Sequence, residues 1–377
     1  MKKNSYDVVI IGAGAAGIGV GALLQLLEIN NFVVLERQEI GASFGMWPQE
    51  MKFISPSFPG HGFGALDLNA IVPNTSPGHV LKSEHPSGKE YQIYLRSVAK
   101  HFELPVETGI DVLSLQRHSS KRKGFTLETN QGTISSRTVI WAAGEFQYPN
   151  LNSIPGAEHC IHNSTVKSWK EYKGKDYIVI GGFESGIDAA VNLALNGNKV
   201  RVFDKEEAWN SESSDPSCSI STYTYERLRW VMDKGLITLH GNSTIKKIEK
   251  SGDGFIITNG KEKIRTKNPP VLATGFKTSL SLIRDQFEWE EKENYPLLTE
   301  SDESTITPGL FLVGPNVRHD DLIFCFIYKF RQRFGVVAQE IAKRIGHKDI
   351  DTSVFDFYRD KGMLLDDLSC CGDECAC

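Results

Sequence analysis

Nowhere does the chain supply the roughly 20 consecutive apolar residues that a membrane-spanning helix needs. It also lacks any long run of Lys or Arg: 42 basic residues stand against 47 acidic ones for a net charge of −5, which leaves no electrostatic footprint for nucleic acid. The first residues begin basic and turn apolar, but the apolar run meets a glycine motif within a few residues, so it reads as a strand rather than a leader or anchor. Cysteine is sparse over most of the length, with Cys160, Cys218 and Cys325 isolated from one another and no Cys-x-x-Cys pair among them. These absences exclude membrane and nucleic-acid partners and point to a cytoplasmic protein with mostly reduced thiols. What remains, 377 residues with 40% hydrophobic and 24% charged, suits two medium cores and hence two domains.

The most informative segment comes first. Asp7 to Ile11 is apolar, Gly12, Gly14 and Gly17 follow as GxGxxG with Ala15 and Ala16 between them, and a small-residue helix is predicted over 18–27. Gly12 permits the tight turn, Gly14 lets a pyrophosphate approach the backbone, and Gly17 lets helix and strand pack closely. A second strand, 31–35, ends in Glu36, placed to accept hydrogen bonds from the ribose of an adenosine, with Arg37 beside it. Strand, turn, helix and terminal acid together predict a bound dinucleotide.

A second copy of this unit lies near mid-chain. Tyr177 to Ile180 is apolar, GGFESG runs from Gly181 to Gly186 and includes Ser185, a helix extends to about Leu195, and the strand 199–203 leads to Asp204. Phe183 stands where the second glycine would be and would crowd a pyrophosphate. Asp204 opposes a 2′-phosphate while Arg201 and Lys205 are near enough in sequence to offset it, so charge leans to NADH and leaves NADPH open. Strand-like segments at 112–116, 124–129 and 138–142 follow the first unit and end in Ala-Ala-Gly at Gly144. A similar set at 237–240, 245–248, 255–258 and 271–275 follows the second and ends in Ala-Thr-Gly at Gly275. A strand at 309–313, a turn at Gly314 and a helix over 324–345 close the pattern. The fold class is therefore α/β, with two Rossmann-like domains, the second nested in the first, and β insertions in each. The expected division is 1–150 with 290–350 for FAD, 151–289 for NAD(P)H, and 351–377 as an extension with a cysteine-rich, acidic, glycine-containing end.

GAGAAG, Glu36, GASFGMWP at 41–48, WAAGEFQYPNLNSIPG at 141–156, VIGGFESGIDAA at 179–190, ATGF at 273–276 and PGLFLVG at 308–314 appear in that order. The ordered set resembles the two-dinucleotide-binding-domain, pyridine nucleotide-disulfide oxidoreductase-like flavoproteins, in particular the flavin-containing monooxygenases and their small bacterial relatives associated with metal efflux. The resemblance implies FAD on the first unit and NADH or NADPH on the second, with Trp47 beside the isoalloxazine, Val112 and Gly144 along the FAD site, and Asn316, after Gly314, standing in for an acid near the ribityl chain. The monooxygenase fingerprint Phe-x-Gly-x-x-x-His-x-x-x-Trp is not met: Cys160, His162 and Val166 occupy its first three fixed places and only Trp169 hints at it.

Four of the seven cysteines, Cys370, Cys371, Cys375 and Cys377, fall in the last eight residues. Thiolates so close suit soft metal ions and also disulfide exchange. The adjacent pair Cys370-Cys371 is similar to the mobile arm of some disulfide and mercuric reductases. Such an arm needs direct access to the flavin or a partner at Cys325, at the start of the predicted final helix, where a helix N-terminus lowers a thiol pKa; a buried, inert cysteine among aromatics is the alternative reading of that residue. The usual dithiol beside a Rossmann loop is missing. The sequence thus predicts an FAD-dependent NAD(P)H oxidoreductase, monooxygenase-like, with thiol, disulfide or metal-ion reduction through the tail as the alternative and a flavin-based redox or metal sensor as the non-enzymatic one. Its partner is a small-molecule substrate or low-molecular-weight disulfide; a homodimer stays open.

Overall fold

The structure, a computed structural model, describes residues 4–58, 66–118, 124–213, 215–290, 292 and 294–369. Cys370, Cys371, Cys375 and Cys377 lie outside the described residues. The first unit runs β1 (Ser5–Ile11), α1 (Ala15–Leu26) and β2 (Phe32–Glu36). It continues through α2 (Gly88–His101), β3 (Val106–Thr108), β4 (Val112–Arg117), β5 (Phe125–Thr129) and β6 (Gly132–Trp141). α2 starts where Ser87 and Glu90 form a reciprocal capping box.

The middle of the chain holds β7 (Ile161–His162), β8 (Asp176–Ile180), α3 (Glu184–Leu195), β9 (Lys199–Phe203), α4 (Thr222–Met232) and β10 (Ile237–His240). β11 (Lys247–Ser251), β12 (Gly254–Thr258), β13 (Lys263–Thr266) and β14 (Val271–Leu272) follow. The last part contains β15 (Leu310–Leu312), α5 (Ile327–Phe330), α6 (Phe334–Ile345) and α7 (Ser353–Asp360).

The first sheet has the order β3-β2-β1-β6-β5-β4, with β15 also on β6. β6 serves two architectures. Its start pairs antiparallel with β5 and its end pairs parallel with β15, while its other edge runs parallel to β1. The second sheet, β10-β9-β8-β14-β7, is entirely parallel in its register, and β11-β12-β13 form a separate antiparallel sheet. Parallel strands buried on both faces need continuous apolar runs, and Val8 to Ile10 and Ile178 to Val179 are wholly buried. The mixed α/β class is the one expected from the strand-turn-helix repeats; the second sheet is parallel, and the first is mixed, with its β4-β5-β6 edge antiparallel.

The cores follow the same division. One cluster draws on residues from Tyr6 to Ala142 and again from Leu280 to Leu364, whereas two others lie wholly within 157–272. The chain leaves the first core and returns to it, as a nested arrangement requires.

Two sequence expectations are corrected. The helix over 324–345 is not continuous: the chain is extended through Phe326, and α5 and α6 are separated by a 3-10 turn at Arg331–Arg333. Both arginines of that turn are buried. Arg331 donates to the carbonyls of Asp67 and Ala70, at 2.6 and 2.7 Å, and burial pulls its pKa down to about 10. Arg333 meets Asp302, with both side chains fully buried, and donates to the carbonyls of Glu300 and Leu365. Reaching these partners sets the local backbone. The strand expected at 245–248 starts two residues later, at Lys247, because Ile245 is buried in the third core before the pairing with β12 begins. From the expected extension, Phe355, Tyr358, Met363 and Leu364 enter the first core.

The Arg333–Asp302 pair yields a prediction. Truncating Arg333 to Ala takes the guanidinium from the buried Asp302 carboxylate, which keeps His319 Nε2 at 2.6 Å as a partner, and frees the Leu365 carbonyl, and should cost about 3–5 kcal/mol. The check is the urea unfolding midpoint of the variant; a midpoint unchanged from the parent overturns the assignment.

Candidate active site

The two glycine loops are near copies in geometry. Gly12 and Gly181 sit at φ of +102° and +105°, where a Cβ would strike the carbonyls of Ala142 and Ala273. Gly17 and Gly186 press onto the carbonyls of Gly12 and Gly181, and a Cβ at either would lie 1.9 Å from the oxygen. The acid at the end of each second strand closes the loop from the other side. Glu36 accepts from the amides of Ala13 (2.8 Å) and Gln38 (2.8 Å), and Asp204 accepts from those of Gly182 (2.7 Å) and Glu206 (2.8 Å).

The loops differ where a ligand would arrive. Gly14 is the N-cap of α1 without a side-chain cap, no acid lies in the first turn, and a Cβ there would meet nothing within 4 Å. An uncapped helix N-terminus open to a cavity is a ready anion site. The same backbone position in α3 is Phe183, with φ and ψ of −90° and −168° against −80° and −169° at Gly14. Its ring projects outward, Glu184 follows in the first turn, and Trp209 packs over Gly182. The first loop therefore fits a pyrophosphate without adjustment. On the second, a dinucleotide must pass the Phe183 ring and the Glu184 charge. Arg201 does not offset Asp204 as its sequence position suggested, because it pairs with Asp176 at 2.9 Å and with the carbonyl of Arg265, and Lys205 pairs with Glu206.

A cavity of about 430 Å³ opens before the first loop and reaches the start of α3. Gly12, Gly14, Ala15 and Ala16 form one wall, Glu36, Arg37 and Val112 another, and Trp47 and Gly144 a third. Trp47 also packs on Phe44 and Phe53, so it is both cavity wall and aromatic cluster. Ser185 and Cys325 line the same space from the far side. Gly17, Gly181, Gly186 and Asp204 stand behind the surface and shape the loops. Gly314 lies against Ala16, and its neighbour Pro315 reaches the cavity, whereas Asn316 lines a smaller hollow with Val317 and Arg318. The Gly275 carbonyl accepts from the amide of Asn150 and contacts His162 Nε2 at 3.2 Å.

The segment 160–169 is packed into the second unit rather than presented to the cavity. Burial pushes the Cys160 thiol up to about 12 and lowers the His162 pKa, while Val166 and Trp169 belong to the second core. Among the described residues there is no cluster of His, Cys, Asp and Glu that suits a metal ion.

Cys325 is a correction of sign. It precedes the four-residue α5, and although its sulfur is open to solvent at the cavity, the surrounding protein raises its thiol pKa; the Ser217 contact and the nearby Lys329 charge pull the other way without prevailing. Desolvation outweighs so short a helix.

Several groups at the site carried no signal in the linear pattern. Glu145, directly after Gly144, lines the cavity with its pKa raised by burial alone. Glu184 and Asp188 line it from α3, also raised chiefly by burial; Glu184 accepts from Thr224 Oγ1 and the Ser221 amide, and Asp188 pairs with Arg227 at 2.7 Å. Glu50 ties the first unit to the linking segment through Ser168 Oγ and the Trp169 amide, and His85 stacks on Tyr223 with ring centres 3.9 Å apart.

A family profile described as pyridine nucleotide-disulphide oxidoreductase matches residues 9–314. An uncharacterized oxidoreductase CzcO of Bacillus velezensis is 28% identical over 275 residues, covering 70% of this chain and 71% of that one. The bacilliredoxin reductase Bdr of Bacillus subtilis is 25% identical over 341 residues, covering 90% and 98%. Among solved structures, a bacillithiol disulfide reductase Bdr from Bacillus cereus superposes with a TM-score of 0.74 at 23% identity, over 90% of this chain and 99% of that one. A flavin-containing monooxygenase from Stenotrophomonas maltophilia gives 0.69 at 15% identity, over 91% and 99%.

The Glu145 carboxyl has a measurable consequence. Its folded pKa lies above the ordinary 4.5, so the protonated form is favoured by folding. That contribution is complete below the ordinary value and is lost as pH rises through the raised one. Glu145→Gln, neutral throughout, should match the parent in unfolding midpoint at pH 4 and exceed it at pH 8. A difference that does not change with pH rules out burial of the charge as its source.

Proposed function

The chain belongs to the pyridine nucleotide-disulphide oxidoreductase family and is an FAD-dependent NAD(P)H oxidoreductase, and from that premise we propose that its electron acceptor is a low-molecular-weight disulfide reached through Cys325. The observation that carries the reading is the position of that thiol. It lies on the wall of the same cavity as the Gly12–Gly17 loop, although more than 300 residues of chain separate the two. A relative and a structural neighbour that match nearly the whole chain bear the names bacilliredoxin reductase and bacillithiol disulfide reductase, which supports a disulfide acceptor.

In this reading residues 1–150 with 290–350 hold FAD, 151–289 hold NADH or NADPH, and 351–377 form an extension. FAD, when bound, takes a hydride from NAD(P)H and passes on two electrons. The protein's own part is placement. The α1 N-terminus, opened by Gly14 and flanked by Gly12, Ala15 and Ala16, takes the pyrophosphate. Glu36 with Arg37 takes the adenosine ribose, and Trp47, Val112 and Gly144 bound the flavin end, with the Gly314–Pro315 turn at its ribityl side. Gly181, Ser185, Gly186, Asp204 and Gly275 shape the nicotinamide site, which the Phe183 ring narrows. The apolar wall of Trp47, Phe53 and Phe276 excludes water from the reacting groups. Thiol chemistry of this kind suits a reducing compartment such as the cytoplasm. Oxygen insertion is disfavoured, because the segment that carries the monooxygenase fingerprint is here His162 bound to the Gly275 carbonyl and Val166 in a core.

Two tests follow. Gly14→Val fills the open space before α1; its apoprotein should unfold within about 1 kcal/mol of the parent apoprotein but purify without flavin absorbance. Retention of FAD by that variant removes the first loop from the cofactor site. In anaerobic stopped flow the parent should bleach on NADH or NADPH and reoxidise on glutathione disulfide without a long-lived hydroperoxide band in air. Cys325→Ser should still bleach, but reoxidise on the disulfide roughly 100-fold or more slowly, a loss of about 2.7 kcal/mol. A hydroperoxide band selects the monooxygenase instead, and no bleaching selects the sensor.

A further inference from the structure

The loop between β9 and α4 crosses from the second unit to the cavity rim and is held there. Lys329 Nζ on α5 donates to Asp215 at 2.7 Å and to Ser217 Oγ at 3.0 Å. Asp215 in turn accepts from the Ser217 amide at 2.8 Å, and its carbonyl accepts from the Cys218 amide at 2.9 Å. Ser217 Oγ contacts Cys325 Sγ at 3.2 Å. The next residue, Cys218, is a free, exposed thiol, as is Cys325.

This places two cysteines from different units side by side. A serine Oγ lies about 2.4 Å from its own Cα, a cysteine Sγ about 2.8 Å from its own, and consecutive Cα atoms are about 3.8 Å apart, so with the 3.2 Å contact the Cys218 and Cys325 Cα atoms lie within about 12 Å of each other. A disulfide needs Cα atoms about 4.4–6.8 Å apart. Bridging the two requires the Cys218 segment to turn toward Cys325 about its Asp215 anchor.

We propose that Cys218 and Cys325 are a redox pair spanning the two units, with Cys218 meeting a small disulfide at the surface and Cys325 resolving the product at the cavity. This deepens the reductase reading and rests on it for the supply of electrons. The Cys218 thiolate attacks one sulfur of RSSR, forming Cys218–S–S–R and releasing RS⁻, which takes up the proton that Cys218 lost. The Cys325 thiolate then attacks the Cys218 sulfur, forming the Cys218–Cys325 disulfide and releasing the second RS⁻, which is protonated in the same way. One disulfide is reduced to two thiols and the pair is oxidised by two electrons. Two electrons and a proton from NAD(P)H, with one further proton, reopen it. The geometry supports these roles: Cys325 lines the cavity where electrons arrive, and Cys218, exposed and outside the cavity lining, is where a substrate can reach it. It also explains how the enzyme lacks a dithiol on either glycine loop, since tertiary structure assembles one from residues 107 positions apart.

The experiment uses holoenzyme in which the four tail cysteines are Ser, so that they cannot substitute for the pair. It is incubated anaerobically with glutathione disulfide, alkylated, digested without reductant and mapped by mass spectrometry. Expected are a peptide bridge joining Cys218 to Cys325 and release of two glutathione thiols per chain. Cys325→Ser should stop at a mixed disulfide on Cys218 with one thiol released, and Cys218→Ser should form no bridge. An unbridged parent, or a mixed disulfide that accumulates on Cys218 despite Cys325, overturns the pair. Subsequent NADH or NADPH should abolish the bridge. A bridge that persists while the flavin bleaches keeps the pair and overturns the reductase reading, whereas turnover of the disulfide with no bridge overturns the pair alone.

Discussion

Much of this molecule depends on a contact between two pieces of backbone. The Cα of Gly17 rests on the carbonyl of Gly12, and that of Gly186 on the carbonyl of Gly181, so closely that a single methyl group would be 1.9 Å from oxygen. This approach sets α1 and α3 against their sheets at a fixed angle and aims the N-terminus of α1 at the cavity. Strand, helix and acid then follow as consequences. β2 and β9 lie parallel beside β1 and β8, and their terminal acids, Glu36 and Asp204, reach back to the amide that follows the turn glycine.

The shared frame makes the differences between the units interpretable. At the second glycine position one loop keeps an open N-terminus and the other carries Phe183 and Glu184 on an otherwise matching backbone. The first leaves its helix N-terminus open to an anion, whereas at the second an aromatic ring and a carboxylate stand where a ligand would arrive. The units are then joined by polar contacts of modest number: Glu50 to the 168–169 backbone, His85 on Tyr223, and Lys329 to the 215–217 loop.

Some of this was legible before any coordinates. Gly12, Gly14, Gly17 and Glu36 announce their roles because a dinucleotide loop is a local device, built within one strand-turn-helix unit, and its spacing is visible along the chain. The nesting was legible for the same reason, since the AAG and ATG strand ends repeat. The final helix was less so: its apolar periodicity ran on from Phe324, but the turn at 331–333 is set by carbonyls of Asp67, Ala70 and Leu365, which no local pattern displays. The acidity of Cys325 was misjudged because a helix start is a local signal and burial is not.

Sequence by itself determined the fold class, the paired glycine loops and the cofactor chemistry, because each is encoded by residues within about 30 positions of one another along a single βαβ unit. Only the tertiary structure decided what faces the cavity: Glu145 raised by burial, Arg201 turned away to Asp176, and Ser217 brought with Cys218 to the sulfur of Cys325. Those outcomes depend on how two separately encoded units pack, and contacts made across 100 or more residues leave no period, spacing or composition in the chain that makes them.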